Sequence, residues 1–213
     1  MENILKNILL IRIDGQKLGT AFAYKFNEKK LLFSARHLFS QSIGKSNIDI
    51  EYLTSNSDFQ KISGKLLKHQ NEKVDIVAIE FDDFPFDGLE NLHSNNEPAY
   101  LIDTFFIGFP FGIFDNSDAT KIKPFIKKAS VSGIRINDTV KTIYLDGHTN
   151  TGFSGGPIFT KEGDDYKIVS IMSGSQSDKK KWINPQDKSV IEISENSGIV
   201  ITVDFKHALE IVK

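Results

Sequence analysis

The chain has 213 residues, 39% hydrophobic and 25% charged, a balance ordinary for a soluble globular protein of one or two small units. Its 26 basic and 28 acidic residues leave a net charge of −2, without the excess of Lys and Arg that marks a nucleic-acid binder. The absence of cysteine excludes a disulfide framework and points to a reducing, cytoplasmic setting.

The N-terminal apolar run is interrupted by Lys6, Asn7 and Arg12. It has no small-residue cleavage site and is too short to cross a bilayer, so it reads as a first strand, not as a leader or a membrane contact. Residues 8–13 are β-branched and apolar, and Asp14-Gly15 is a hairpin signal leading to a returning strand at 19–24. Residues 31–34, 48–52, 61–68 and 74–81 complete a first group of strands. Residues 82–98, with two prolines and many Asp and Asn, form a connector. A second strand-rich half follows, with candidates at 100–107, 126–136, 141–145, 156–160, 166–173 and 199–203. Lys179-Lys180-Lys181 lies among polar residues and reads as a solvated loop. In the tail, Phe205, Ala208, Leu209 and Val212 fall at helical spacing, with Asp204 placed to cap the start. Many short strands at turn-punctuated intervals predict barrels rather than alternating helix and strand.

The strongest chemical signal is Thr151-Gly152-Phe153-Ser154-Gly155-Gly156-Pro157. Glycines around a serine allow backbone conformations closed to other residues, and let main-chain N–H groups converge on one point. The N–H groups of Gly152 and Ser154 are the candidates for an oxyanion hole. A serine hydroxyl is a poor nucleophile until a base takes its proton. Of the five histidines, His37 follows an apolar strand at a rim, whereas His69, His93 and His207 read as solvated. The base needs an acid to hold its tautomer. Asp75 opens an apolar strand, where an unpaired carboxylate is costly and an imidazole partner would explain it. Asp49 alternates with Glu51 on a wet face and ranks below it.

Taken in order, these residues resemble the chymotrypsin-like serine peptidases, in particular the trypsin-like bacterial peptidases related to the HtrA group. The likeness runs through Gly19-Thr20-Ala21-Phe22, Ser34-Ala35-Arg36-His37, Val74-Asp75-Ile76-Val77, Ile107-Gly108-Phe109-Pro110-Phe111-Gly112, Val131-Ser132-Gly133-Ile134 and the Ser154 motif. Several motifs in one order are more specific than any alone. The resemblance implies an all-β fold of two antiparallel six-stranded β-barrels with the active site between them and a short C-terminal helix. It implies one peptidase domain over 1–213, with barrels at about 8–90 and 98–203 and a helix at 204–212. It assigns His37, Asp75 and Ser154 as a catalytic triad, and Ser173, Gly174 and Ser175 to the strand edge that pairs with substrate. His148, six residues before Ser154, falls near the base of the primary pocket; it either favours a polar or acidic side chain or points away into its loop.

Two departures stand out. Phe153 occupies the position where digestive members carry an aspartate that pairs with a freed N-terminus, and the additional C-terminal peptide-binding domain of the HtrA group is not expected here. The expected function is a serine endopeptidase acting on a protein or peptide substrate, with no metal and no organic cofactor. The alternatives are a silent peptide-binding pseudoprotease, an esterase, and a latent protease switched on by a protein partner in a stress or defence system.

Overall fold

The computed structural model describes residues 1–83, 85–115 and 122–213. Among these the first half forms a ring of antiparallel strands. They are β1 (Ile8–Ile13), β2 (Lys17–Phe26), β3 (Lys29–Ser34), β4 (Asn47–Leu53), β5 (Phe59–Lys68) and β6 (Val77–Glu80). The order is β1-β4-β5-β6-β3-β2, and β1–β2 pairing closes the ring. The second half is a closed six-stranded barrel of β8 (Asp103–Gly108), β9 (Phe125–Asn137), β10 (Val140–Asp146), β11 (Pro157–Glu162), β12 (Asp165–Ile183) and β13 (Val190–Asp204). A one-turn helix, α1 (Glu2–Leu5), precedes β1, and α2 (Lys206–Ile211) follows β13.

The near-continuous apolar runs of β1 to β3 follow from burial on both faces. Leu9, Ile11 and Ile13 point into the first ring with Ala21, Leu32 and Ile79. Ile8 and Leu10 point the other way, into a layer shared with Phe22, Phe33, Ile107, Phe159 and Val203. That shared layer holds the two units together, while Phe106, Val131, Leu145 and Ile158 fill the second barrel. Strands wet on one side alternate instead, as β4 does with Ile48 and Ile50 buried beside exposed Asn47 and Asp49. Phe205, at the head of α2, meets Phe22, Tyr24 and Phe33 at 6.1, 5.3 and 5.6 Å between ring centroids. Truncating a buried ring of this kind costs roughly 3–5 kcal/mol, so the closing helix is bolted to the first ring by one aromatic. Burial also pushes the Tyr24 hydroxyl up to about 12.

Four boundaries differ from expectation. The connector at 82–98, apart from residue 84, contains a two-residue strand, β7 (Leu89–Glu90), parallel to β2. Residues 100–102 turn rather than extend, and residues 74–76 precede β6 rather than belonging to it. Asp204 is the last residue of β13; its carboxylate accepts the N–H of Lys206, the first residue of α2, at 2.9 Å. The largest difference is the lysine run. It lies not in a loop but in a long hairpin, with Ser177 to Ile183 paired against Asn196 to Val190. No helix among the described residues is long and apolar enough to cross a membrane.

Candidate active site

The register of β3 against β6 sets the first two side chains. Ser34 pairs with Val77, so the chain leaving β3 and the chain entering β6 run side by side. His37 sits three residues past that pair in a 3-10 turn, and Asp75 two residues before it. The Asp75 carboxylate accepts the His37 backbone N–H at 2.8 Å through Oδ1, and the His37 ring lies 2.8 Å from Oδ2 through Nδ1. A carboxylate oxygen accepts, so the ring donates to it through Nδ1–H. Ser173, on β12 of the other barrel, donates its hydroxyl to the same Oδ2 at 2.5 Å. The carboxylate is therefore supplied with donors from both units. Asp49, the rival, is held on exposed β4 by Lys61 at 2.6 Å and Ser63 at 2.5 Å.

Ser154 precedes β11 in a tightly clamped loop. Its carbonyl accepts the Thr20 N–H at 2.9 Å, and Gly155 N–H donates to Met172 O at 2.8 Å. Gly155 has φ +86°, and a Cβ there would lie 2.2 Å from Thr20 O and 2.3 Å from Ser34 Oγ. Gly155→Ala is therefore expected to destabilise the chain by at least about 2–3 kcal/mol, from left-handed strain plus overpacking. Chemical denaturation of both chains checks this, and an unchanged midpoint would contradict it.

The loop before the serine is anchored without the ion pair of digestive enzymes. Phe153 is buried and packs edge-on against Phe106 at 5.0 Å. Lys127 reaches over both rings and donates to the carbonyl of His148; burial lowers the pKa of its ammonium. The hydroxyl of buried Thr20 donates to Gly152 O at 2.7 Å, and Phe111 N–H donates to Thr151 O at 2.6 Å. Gly152 takes φ +105°, where a Cβ would meet Phe109 O at 2.1 Å. With those carbonyls engaged, the N–H groups of Gly152 and Ser154 have no acceptor among the described residues.

His37, Ser154, His148, Ser173, Gly174 and Ser175 all border one open cleft of about 480 Å³, together with Phe111, Thr149 to Thr151, Met172 and Asn196. The Ser154 hydroxyl donates to Ser173 O at 3.3 Å rather than to His37. Asp75 and Gly152 are not among the residues that line this cleft; Asp75 reaches it through its contact with His37. The buried Thr149 hydroxyl at the cleft wall has no partner among the described residues. Thr20 and Lys127 carry no sequence signal for these contacts. Thr20 meets Gly152 across 132 residues, a separation no local pattern encodes.

The three histidines expected to be solvated are not: His207 is buried, and His69 and His93 are only partly exposed, with His93 Nδ1 3.2 Å from the Tyr24 hydroxyl. His69 Nε2 and His207 Nδ1 face Glu210 Oε2 at 2.9 and 2.8 Å, while their other ring nitrogens accept the N–H groups of Asn71 and Lys141, each at 3.0 Å. A divalent ion bound to the facing nitrogens would require protons on the far ones, where backbone donors already point. The cluster is thus a hydrogen-bonded clamp between the loop leading to Asp75 and α2. Burial works to raise the Glu210 carboxyl, but the hydrogen bonds from His207 and His69 outweigh it and leave its pKa below the ordinary value. A folded pKa below the unfolded one adds stability that is fully present above about pH 4.3 and is lost as pH falls through the folded value. Glu210→Gln is expected to remove that part of the acid destabilisation, read as a flatter melting temperature against pH between about 5 and 3. An unchanged profile would count against the clamp.

No protein-family model matches the chain, and no curated protein sequence matches it. Solved structures do. The HtrA-type protease AlgW with a tripeptide superposes with a TM-score of 0.65 at 17% identity, covering 99% of this chain and 60% of that one. A serine endoprotease from Yersinia pestis gives 0.63 at 12% identity, covering 99% and 63%. The Rv3671c protease of M. tuberculosis, in an inactive form, gives 0.61 at 10% identity, covering 99% and 89%. The chain thus spans less than two thirds of the two HtrA-type and endoprotease chains it matches. On backbone architecture, with its closed barrel, second β-ring and closing helix, this chain has the chymotrypsin-like fold found in HtrA-type serine proteases.

Proposed function

We propose that the chain is a serine endopeptidase, one peptidase domain over 1–213, that cleaves peptide bonds through an acyl-enzyme on Ser154. The observation that carries this reading is the contact series Ser173–Asp75–His37, which joins the two units at the cleft that also holds Ser154. In the proposed cycle a staggered χ1 rotation turns the Ser154 hydroxyl from Ser173 O toward His37 Nε2. His37 takes its proton as Oγ attacks the substrate carbonyl. The Gly152 and Ser154 amides then receive the oxyanion; losing one such donor costs roughly 3–4 kcal/mol in the barrier. His37 next protonates the leaving amine, and afterwards activates the water that releases the acid. Asp75 holds Nδ1–H throughout, and its own bonds from Ser173 and the His37 backbone keep it in place.

A substrate strand adds beside Ser173 to Ser175, as extended peptides add to open sheet edges. His148 and the free hydroxyl of Thr149 suit a polar or acidic side chain in the adjoining pocket. The reading places the protein in the cytoplasm, on the absence of cysteine. A fluorophosphonate probe tests the core of it: covalent labelling of the folded chain at Ser154 supports a serine hydrolase. No labelling under any folded condition would instead leave a peptide-binding protein. Comparing peptide with ester turnover separates the peptidase from an esterase.

A further inference from the structure

The β12–β13 hairpin leaves the barrel as a two-stranded ribbon, from the cleft rim at Ser175 and Asn196 to a tip at residues 184–189. Beyond Met172 the strand β12 has lost its β11 neighbour, and β13 covers only one of its edges. Among the described residues the other edge has no strand beside it, and it leads on from the Ser173–Ser175 wall of the cleft. Its backbone can be read from the pairing register. Asn184 N–H donates to Ser189 O, so residues 184 and 189 form a hydrogen-bonded pair. Antiparallel ladders alternate. Hence 182, 180 and 178 spend their backbone groups on β13, whereas Ile183, Lys181, Lys179 and Ser177 direct N–H and C=O to the open side. Ser173, reached across register shifts between Ser175 and Ser177 and between Met172 and Gly174, also turns its carbonyl to the cleft, where it accepts the Ser154 hydroxyl.

The open strand is also the basic one. It carries Lys179, Lys180 and Lys181 beside one acidic residue, Asp178, which lies 3.9 Å from the Lys180 ammonium, while Glu192 and Glu195 lie on β13. Lys180 and Lys181 reach across to Glu195 and Glu192; Lys179 has no ion-pair partner among the described residues. Lysines on an edge also discourage random pairing, so the occupant must bring the matching charge. We propose that the open edge of β12 from Ser173 to Ile183 is a docking rail for an extended acidic segment of the polypeptide substrate, lying N-terminal to the bond to be cut. Antiparallel addition sets that direction: the substrate's C-terminal end meets Ser173 and its upstream residues run toward Ile183. At about 3.3 Å per residue the rail spans roughly ten substrate residues, several times what the cleft wall alone can pair. This rests on the serine-peptidase reading for its orientation, but not for the existence of the edge.

The test uses the full chain carrying Ser154→Ala and a fluorescein-labelled peptide of about twelve residues that alternates Glu with Thr and Val, long enough to cover the rail. Its Gln counterpart is the control. Anisotropy titrations are expected to show the Glu peptide binding at least about tenfold tighter than the Gln peptide, with the gap closing at high salt. Lys179→Pro with Lys181→Pro removes two outward N–H groups while sparing the donors used by β13. That pair is expected to weaken the Glu peptide by at least about tenfold. Lys179→Gln with Lys181→Gln keeps the backbone and should abolish only the Glu-over-Gln preference. Fluorophosphonate labelling of the same variants on the Ser154 background separates the two ideas. Labelling intact with peptide binding untouched by the edge changes overturns the rail. Binding sensitive to the edge with no labelling keeps the rail and removes the hydrolase. If sedimentation shows that the chain self-associates and Lys179→Pro with Lys181→Pro abolishes it, the edge serves a second copy, and the substrate proposal is wrong.

Discussion

Ser154→Ala is expected to abolish fluorophosphonate labelling and to lower peptide turnover by roughly 10⁵–10⁶-fold. In the proposed cycle the effect is this large because the hydroxyl is the atom that forms the acyl bond. His37 then has no proton to take, and the amides of Gly152 and Ser154 have no covalent intermediate to hold. Folding should be almost unaffected. The hydroxyl makes one bond, to Ser173 O at 3.3 Å, whereas the loop is held by backbone bonds through Ser154 O and Gly155 N and by the buried Phe153. Mass spectrometry of labelled chain, turnover, and thermal unfolding together check this. Labelling that persists in the variant would place the nucleophile elsewhere.

Asp75→Asn is expected to lower turnover by about 10⁴-fold with little change in the unfolding midpoint. The argument lies in counting donors. Asp75 Oδ1 accepts the His37 N–H, while Oδ2 faces both His37 Nδ1 and the Ser173 hydroxyl. An asparagine that keeps its oxygen at the Oδ2 position sets its NH₂ against the His37 N–H, donor against donor. Turned over, its oxygen accepts that N–H and its NH₂ donates to Nδ1, and the Ser173 hydroxyl rotates to accept. The second arrangement satisfies every group, so it wins. It does so by moving the ring proton to Nε2, the nitrogen that receives the serine proton in the proposed cycle. A packed, stable and almost inactive chain is the outcome, distinguishable from unfolding by a normal melting curve. Retained turnover would show that Asp75 does not set the tautomer.

Much of this architecture is legible in the amino-acid sequence. Residues 8–13, 19–24 and 31–34 are apolar on both faces, and the structure buries both, one face inside the ring and one in the layer between the units. The boundaries that failed did so where tertiary bonds compete with the ladder. Residues 74–76 look like strand, yet Arg36 N–H bonds to Asp75 O, and the Asp75 side chain turns to His37. The hairpin at 175–198 is hidden in the sequence because its composition is that of a loop. Exposed on both faces, it shows no burial-driven alternation, and only its cross-strand ladder defines it. The burial of His207 is illegible for a related reason: its partners come from residue 69, from β10 and from its own helix.

The amino-acid order alone determined which residue types were available for acyl chemistry, and that most short strands would be half or wholly buried. Both properties are local: glycines flanking a serine, an aspartate opening an apolar run, and hydrophobic periodicity are written within a few positions. Tertiary structure decided what those residues do to one another. The β3–β6 register sets His37 beside Asp75, Ser173 crosses from the other barrel to the same carboxylate, and Thr20 clamps the serine loop from 132 residues away. Those relations depend on how two closed sheets pack through a shared apolar layer, and distances between remote segments exist only once that layer has formed.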